Sequence, residues 1–117
     1  MFVYGSLMMG EANHAHLQGA PLWGRDFLHG ATLLDGGAYP FLVFGPGVVW
    51  GECYGISTNL LSSLDEFEEH PNVYCRQWVM LASGREAWTY VGQLPYTSNL
   101  KAIAGGNWRD RALRVSR

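Results

Sequence analysis

The sequence predicts an α+β fold dominated by sheet, a meander or small β-barrel with a few flanking helices. Three observations lead there. Glycine and proline occur 15 and 5 times in 117 residues and 14% of the chain is aromatic, which provides tight turns and large side chains suited to a pleated surface. From residue 31 onward, β-type runs alternate with glycine-rich turns at short intervals, the mark of a meander or barrel. The strongest helical pattern is confined to residues 57–69.

Met1, Phe2, Val3 and Tyr4 form a short apolar run stopped by Gly5 and Ser6, a strand entering a sharp turn. Residues 11–17 allow one or two helical turns with Asn13 as N-cap. Ala31, Thr32, Leu33 and Leu34 read as a strand, Asp35-Gly36-Gly37 as a turn, residues 40–44 as a strand, Gly45-Pro46-Gly47 as a second turn and residues 48–56 as a further strand. In that last run Trp50, Glu52, Tyr54 and Ile56 alternate with Gly51, Cys53 and Gly55. One face is bulky and the other nearly bare, and bare glycines in a strand mark the close approach of another backbone or a ligand. The helix follows, with Thr58 as N-cap, Ser63 and Glu66 at capping-box spacing and Pro71 as its stop. Residues 73–81 and 86–91 read as two strands joined through Ser83-Gly84, and Arg109, Arg111, Arg114 and Arg117 as a solvated basic surface.

Residues 1–117 read as a single domain, without repeat, linker or low-complexity segment. With 48% apolar and 15% charged residues, disorder, collagen and coiled coil are excluded. A net charge of -2 gives no footprint for nucleic acid or an anionic membrane, so neither is an expected partner. The longest apolar stretch, residues 41–50, is broken by Gly45, Pro46 and Gly47, and the first residues lack a basic lead and a sustained apolar run. A cytoplasmic location is expected, with Cys53 and Cys75 as reduced core thiols.

On a helical wheel at about 100° per residue, Leu60, Leu61, Leu64 and Phe67 share one arc, while Ser62, Asp65, Glu66 and Glu69 fall on or near the opposite side. Glu68 falls between Leu61 and Leu64, inside the arc that faces the sheet. A carboxylate there is costly unless paired or useful, and desolvation raises its pKa, which makes Glu68 a candidate functional residue. The structural alternative is an ion pair with Arg76. His14, His16 and His70 are too scattered for a metal site. Ser6 lacks the context of a nucleophile, and the glycine-rich segments match no phosphate or dinucleotide motif. No metal and no cofactor are expected.

Phe2-Val3-Tyr4-Gly5-Ser6-Leu7, Gly51-Glu52-Cys53-Tyr54, Leu64-Asp65-Glu66-Phe67-Glu68 followed by Tyr74 and Arg76, and Ile103-Ala104-Gly105-Gly106-Asn107-Trp108 stand in this order along nearly the whole chain. Together they resemble the gamma-glutamylcyclotransferase-like family, in particular its short gamma-glutamylamine cyclotransferase branch. The resemblance implies a small mixed β-barrel with flanking helices and a cavity for a γ-glutamyl group. By the same resemblance Tyr4, Gly5, Ser6 and Leu7 bind the glutamyl end of a small-molecule γ-glutamyl substrate through their backbone, and Glu68 is the catalytic acid and base. The implied enzyme, an acyltransferase or lyase without metal, releases 5-oxoproline by attack of the substrate's α-amine on its own γ-carbonyl. Two positions depart from the pattern: Glu69 stands where Gly is usual, suggesting a different exit from the helix, and Asn107 stands where Asp is usual. The rival readings are a non-catalytic protein that holds a small metabolite in the same cavity and a structural subunit with a vestigial cavity.

Overall fold

The computed structural model describes residues 1–114. Strand β1 (Phe2–Val3) leads through a loop and a 3-10 turn (His14–Leu17) into the long hairpin of β2 (Leu22–Asp35) and β3 (Pro40–Tyr54). Helix α1 (Thr58–Phe67) follows, then the hairpin of β4 (Tyr74–Met80) and β5 (Glu86–Gly92), and two 3-10 segments (Ala104–Gly106 and Trp108–Arg114).

Strand β3 is the spine of the sheet. Antiparallel β2 runs along one edge. The other edge is shared by β1, antiparallel through Phe2 and Cys53, and by β5, parallel through Leu42 and Val91. Strand β4 pairs antiparallel with β5, giving the order β1-β3-β5-β4 with β2 on the far side of β3. The α+β class and mixed sheet are as expected, but the sheet curls without closing into a barrel. The turn between β4 and β5 meets β2 through Ala82 N donating to the Phe27 carbonyl and Ser83 N donating to Asp26. Among the described residues no ladder joins β4 to β2.

The sequence splits β3 at Gly45-Pro46-Gly47, whereas the structure keeps one strand through that tripeptide. The ladder passes from Val48 opposite His29 to Phe44 opposite Ala31, so the three residues bulge out of an unbroken hairpin. Thr32 Oγ1 closes the bulge by donating to the Pro46 carbonyl. Strand β2 starts at Leu22, well before the predicted Ala31. Its first half is masked in the sequence by Gly24, Gly30 and Asp26, a buried carboxylate that accepts from Phe27 N and the Ser83 hydroxyl.

The core joins both sides of the sheet spine, with Phe2, Leu17, Leu33, Leu42, Val49, Cys53, Leu64 and Trp108 all under 2% exposed. The bare face of β3 is covered by protein: a Cβ on Gly51 would lie 2.3 Å from the Val3 carbonyl oxygen, and one on Gly55 would lie 2.5 Å from the Trp23 ring. Cys53 is buried as expected and Cys75 is half-buried; both are free thiols. The N-cap of α1 is Ser57 rather than Thr58, its side chain accepting from Leu60 N at 3.1 Å. Ser63 lies mid-helix and donates to the Asn59 carbonyl instead of opening a capping box. No helix among the described residues is long and apolar enough to cross a membrane.

Candidate active site

A cavity of about 310 Å³ opens between the loop after β1, the start of β3, the end of α1 and the facing parts of β4 and β5. Tyr4, Gly5, Ser6, Leu7 and Glu68 all line it, joined by Tyr39, Pro40, Tyr74 and Tyr90. The structure thus brings together every site residue that the sequence singled out.

The loop is held from outside. Met8 N closes a turn onto the Gly5 carbonyl, Asn13 N donates to the Ser6 carbonyl, and the His14 ring bonds the Leu7 carbonyl through Nδ1 at 2.9 Å. Asn13 Nδ2 donates to the Ser6 hydroxyl oxygen at 3.0 Å. Among the described residues none accepts from the amides of Gly5, Ser6 and Leu7. Three neighbouring backbone donors of cavity-lining residues therefore lack an acceptor among the described residues, an arrangement suited to carboxylate or carbonyl oxygens. Gly5 is required by packing: a Cβ there would lie 2.5 Å from Cγ of the Pro40 ring.

At the other wall, α1 ends with Glu68 N donating to the Leu64 carbonyl at 2.8 Å. Glu69 then takes φ +54°, the left-handed region where glycine is the usual occupant. The expected change of exit does not occur; the glutamate adopts the left-handed turn itself. Glu68 is half-buried, and among the described residues nothing donates to its carboxyl. Burial raises its pKa to about 7.

The wheel misplaces two neighbours. Phe67, assigned inward, is 38% exposed and stacks on His16 with ring centroids 3.9 Å apart. Asp65, assigned outward, is half-buried and receives Arg76 Nε at 2.8 Å and the Tyr90 hydroxyl at 2.7 Å. Burial acts to raise the Asp65 pKa, but the hydrogen bonds from Arg76 and Tyr90 outweigh it and leave the pKa below its ordinary value. The ion-pair partner proposed for Glu68 thus belongs to Asp65. A wheel assumes one flat apposed surface, whereas the end of α1 meets β4 and β5 on the flank carrying residues 65 and 68.

Glu52 is buried behind the loop, where Oε1 accepts from Met9 N at 2.8 Å and the Tyr54 hydroxyl at 2.9 Å. Arg109 donates to the Met9 carbonyl and to Glu52, and Arg111 pairs with Glu11 at 2.8 Å. These arginines tie the loop's far end to the body of the protein and are not a merely solvated surface. The Arg114 side chain and Arg117 lie outside the described part. Asn107 does not line the cavity; its Oδ1 caps the last 3-10 segment by accepting from Arg109 N. His70 Nδ1 accepts from Arg76 N.

The family model for gamma-glutamyl cyclotransferase, AIG2-like proteins matches residues 1–110. The chain belongs to this family. It is 38% identical over 111 residues to the gamma-glutamylcyclotransferase family protein YtfP of Escherichia coli K12, covering 95% of this chain and 96% of that one. It is 35% identical over 92 residues to gamma-glutamylaminecyclotransferase A of Danio rerio, covering 69% of this chain and 57% of that one. The fold matches the crystal structure of an uncharacterized protein of Pyrococcus horikoshii with a TM-score of 0.81 at 24% identity, over 99% of this chain and 94% of that one. The names of the relatives support an enzyme of the gamma-glutamylcyclotransferase type.

Sequence reasoning within the family pattern missed Tyr39, Pro40 and Tyr90. A signal for Tyr90 existed: a tyrosine in an apolar strand must find a partner for its hydroxyl, and the partner, Asp65, is the helix carboxylate assigned to solvent.

Proposed function

We propose that this protein is a cyclotransferase that releases 5-oxoproline from a γ-glutamyl amine or γ-glutamyl amino acid, without metal or cofactor. The observation that carries the reading is the unpaired Glu68 carboxyl, with a pKa of about 7, sharing one cavity with the loop amides of Gly5, Ser6 and Leu7. In this reading the loop holds the glutamyl end folded so that amine and γ-carbonyl meet, and such positioning supplies much of the rate of an intramolecular reaction. Glu68 takes a proton from the α-ammonium, and the amine nitrogen attacks the γ-carbonyl carbon to give a tetrahedral alkoxide. Loop amides stabilise that oxygen. The bond to the leaving nitrogen then breaks as Glu68 returns the proton to it. The second surplus proton of the ring nitrogen follows, so 5-oxoproline and an ammonium product depart.

The raised pKa suits this task. A carboxylate of pKa about 7 accepts the α-ammonium proton at a cost roughly 3 kcal/mol lower than an ordinary glutamate of 4.5 would. The test is direct: purified protein is incubated with γ-glutamyl amines, γ-glutamyl amino acids and α-glutamyl peptides, and 5-oxoproline is measured. Release from γ-linked substrates alone is expected. Release from α-linked peptides at a comparable rate overturns the mechanism, and tight binding without release leaves a metabolite-binding protein.

A further inference from the structure

The three phenols beside Glu68 have no proton to offer a ligand. The Tyr74 hydroxyl lies 2.7 Å from the Pro40 carbonyl oxygen, and the Tyr4 hydroxyl lies 2.5 Å from the Tyr90 carbonyl oxygen. A carbonyl oxygen only accepts, so both phenols donate. The Tyr90 hydroxyl lies 2.7 Å from Asp65 Oδ1. The Arg76 guanidinium keeps Asp65 ionised, so Tyr90 donates as well. Each phenol has one proton, and all three are committed inside the protein. The Tyr4 oxygen also accepts from Leu42 N at 3.3 Å, whereas no described residue donates to the oxygens of Tyr74 or Tyr90. Both residues line the cavity, burial above all and to a lesser degree the charge on Glu68 weaken the acidity of both, and among the described residues no Lys, Arg or His lines the cavity with them.

We propose that the hydroxyl oxygens of Tyr74 and Tyr90, with the Glu68 carboxylate, form a subsite for a primary ammonium group, three acceptors for its three N–H bonds. The assignment rests on the cyclotransferase reading for the identity of the ligand: the donor's α-ammonium sits at the β4 and β5 wall while its α-carboxylate meets the loop amides opposite. The subsite also distinguishes substrate from product. The nitrogen enters with three N–H bonds and leaves as a lactam with one, the other two protons passing to the departing amine. Two of three acceptors lose their partner as the ring closes, which loosens 5-oxoproline in the site where its precursor was held.

The experiment compares a γ-glutamyl alkylamide with its des-amino counterpart, the matching glutaric acid monoamide, which keeps the carboxylate and the amide but has no nitrogen to bind. Wild-type protein, Tyr90→Phe and Tyr74→Phe are measured, with KM for the first ligand, or a calorimetric Kd where no 5-oxoproline forms, and an inhibition constant or Kd for the second. Wild type is expected to prefer the amino ligand at least tenfold. Each substitution is expected to weaken the amino ligand by about tenfold, the size of one hydrogen bond to a charged group, and to leave the des-amino ligand within about twofold. Weakening of both ligands in step, or of neither, overturns the subsite. If a variant does not fold, the wild-type comparison decides alone, and equal affinity for the two ligands overturns it. Preference for the amino ligand without any 5-oxoproline defeats the cyclotransferase reading and leaves the ammonium subsite standing.

Discussion

Asp65 and Glu68 share one flank at the end of α1 yet titrate in opposite directions, Asp65 below its ordinary pKa and Glu68 up to about 7. The difference lies in their partners. Asp65 holds Arg76 and the Tyr90 hydroxyl, whereas Glu68 has burial without a donor. Two carboxyls pushed apart in this way divide structure from chemistry: the lower anchors the helix to β4 and β5, and the upper is poised to exchange a proton near neutral pH.

Glu68→Gln retains size and polarity but cannot take a proton. It is expected to lower kcat by at least about 100-fold, the usual range for a positioned acid or base, with the circular dichroism spectrum unchanged. In wild type, kcat/KM is expected to fall tenfold per pH unit below about 7, where the carboxylate becomes protonated. A profile that stays flat down to about pH 5 contradicts a base of this pKa.

The same substitution carries a stability signature. The folded pKa of Glu68, about 7, lies above the ordinary 4.5, so the folded chain retains a proton that the unfolded chain gives up. The favourable contribution is complete below the lower value and is lost as pH rises through the upper one, on the order of 3 kcal/mol in all. Glu68→Gln cannot ionise and is expected to melt above wild type near pH 8 and close to it near pH 4. Equal melting curves at both pH values contradict the raised pKa.

Gly5→Ala forces a methyl against the Pro40 ring, and overpacking of this kind costs about 1–3 kcal/mol. Pro40→Ala in the same chain is expected to recover part of that loss in a double-mutant cycle by denaturant unfolding. Ser6→Ala, which removes one bond from Asn13, is expected to cost about 1 kcal/mol or less and to retain turnover. A folded but inactive Ser6→Ala contradicts binding through the main chain.

Glu69→Gly is expected to raise stability by roughly 0.5–1 kcal/mol, because the left-handed φ of +54° strains a residue with a Cβ. A lower midpoint in denaturant contradicts it.

What the sequence made legible was local. Gly5 ends β1, Pro71 stops the chain beyond α1, and the apolar period of the helix directs Glu68 inward; each signal lies within a few residues of what it determines. Features set by distant pairing stayed hidden. Gly45-Pro46-Gly47 reads as a reversal until β2 is seen running past it. Asp65 reads as solvated because Arg76 and Tyr90, which draw it inward, come from two other strands. The need for Gly5 was visible and its cause was not, since Pro40 is brought against it only by the fold.

The way β1 is attached bears on the order of folding. This two-residue strand is fixed by Cys53 and Glu52 on β3 and by Thr89, whose hydroxyl donates to the Phe2 carbonyl. Every one of these partners lies far along the chain, whereas the hairpins of β2 with β3 and of β4 with β5 close short loops. Loop-closure entropy therefore favours the hairpins first and leaves β1, with the substrate loop it carries, for the end. Pulse-labelled hydrogen exchange is expected to protect Leu34 and Val79, which face Phe41 and Ala87, before Val3, and simultaneous protection contradicts this order. The cavity is then the final part of the molecule to take shape, and a destabilising substitution at the β1 and β3 contact will abolish binding at denaturant concentrations where both hairpins persist.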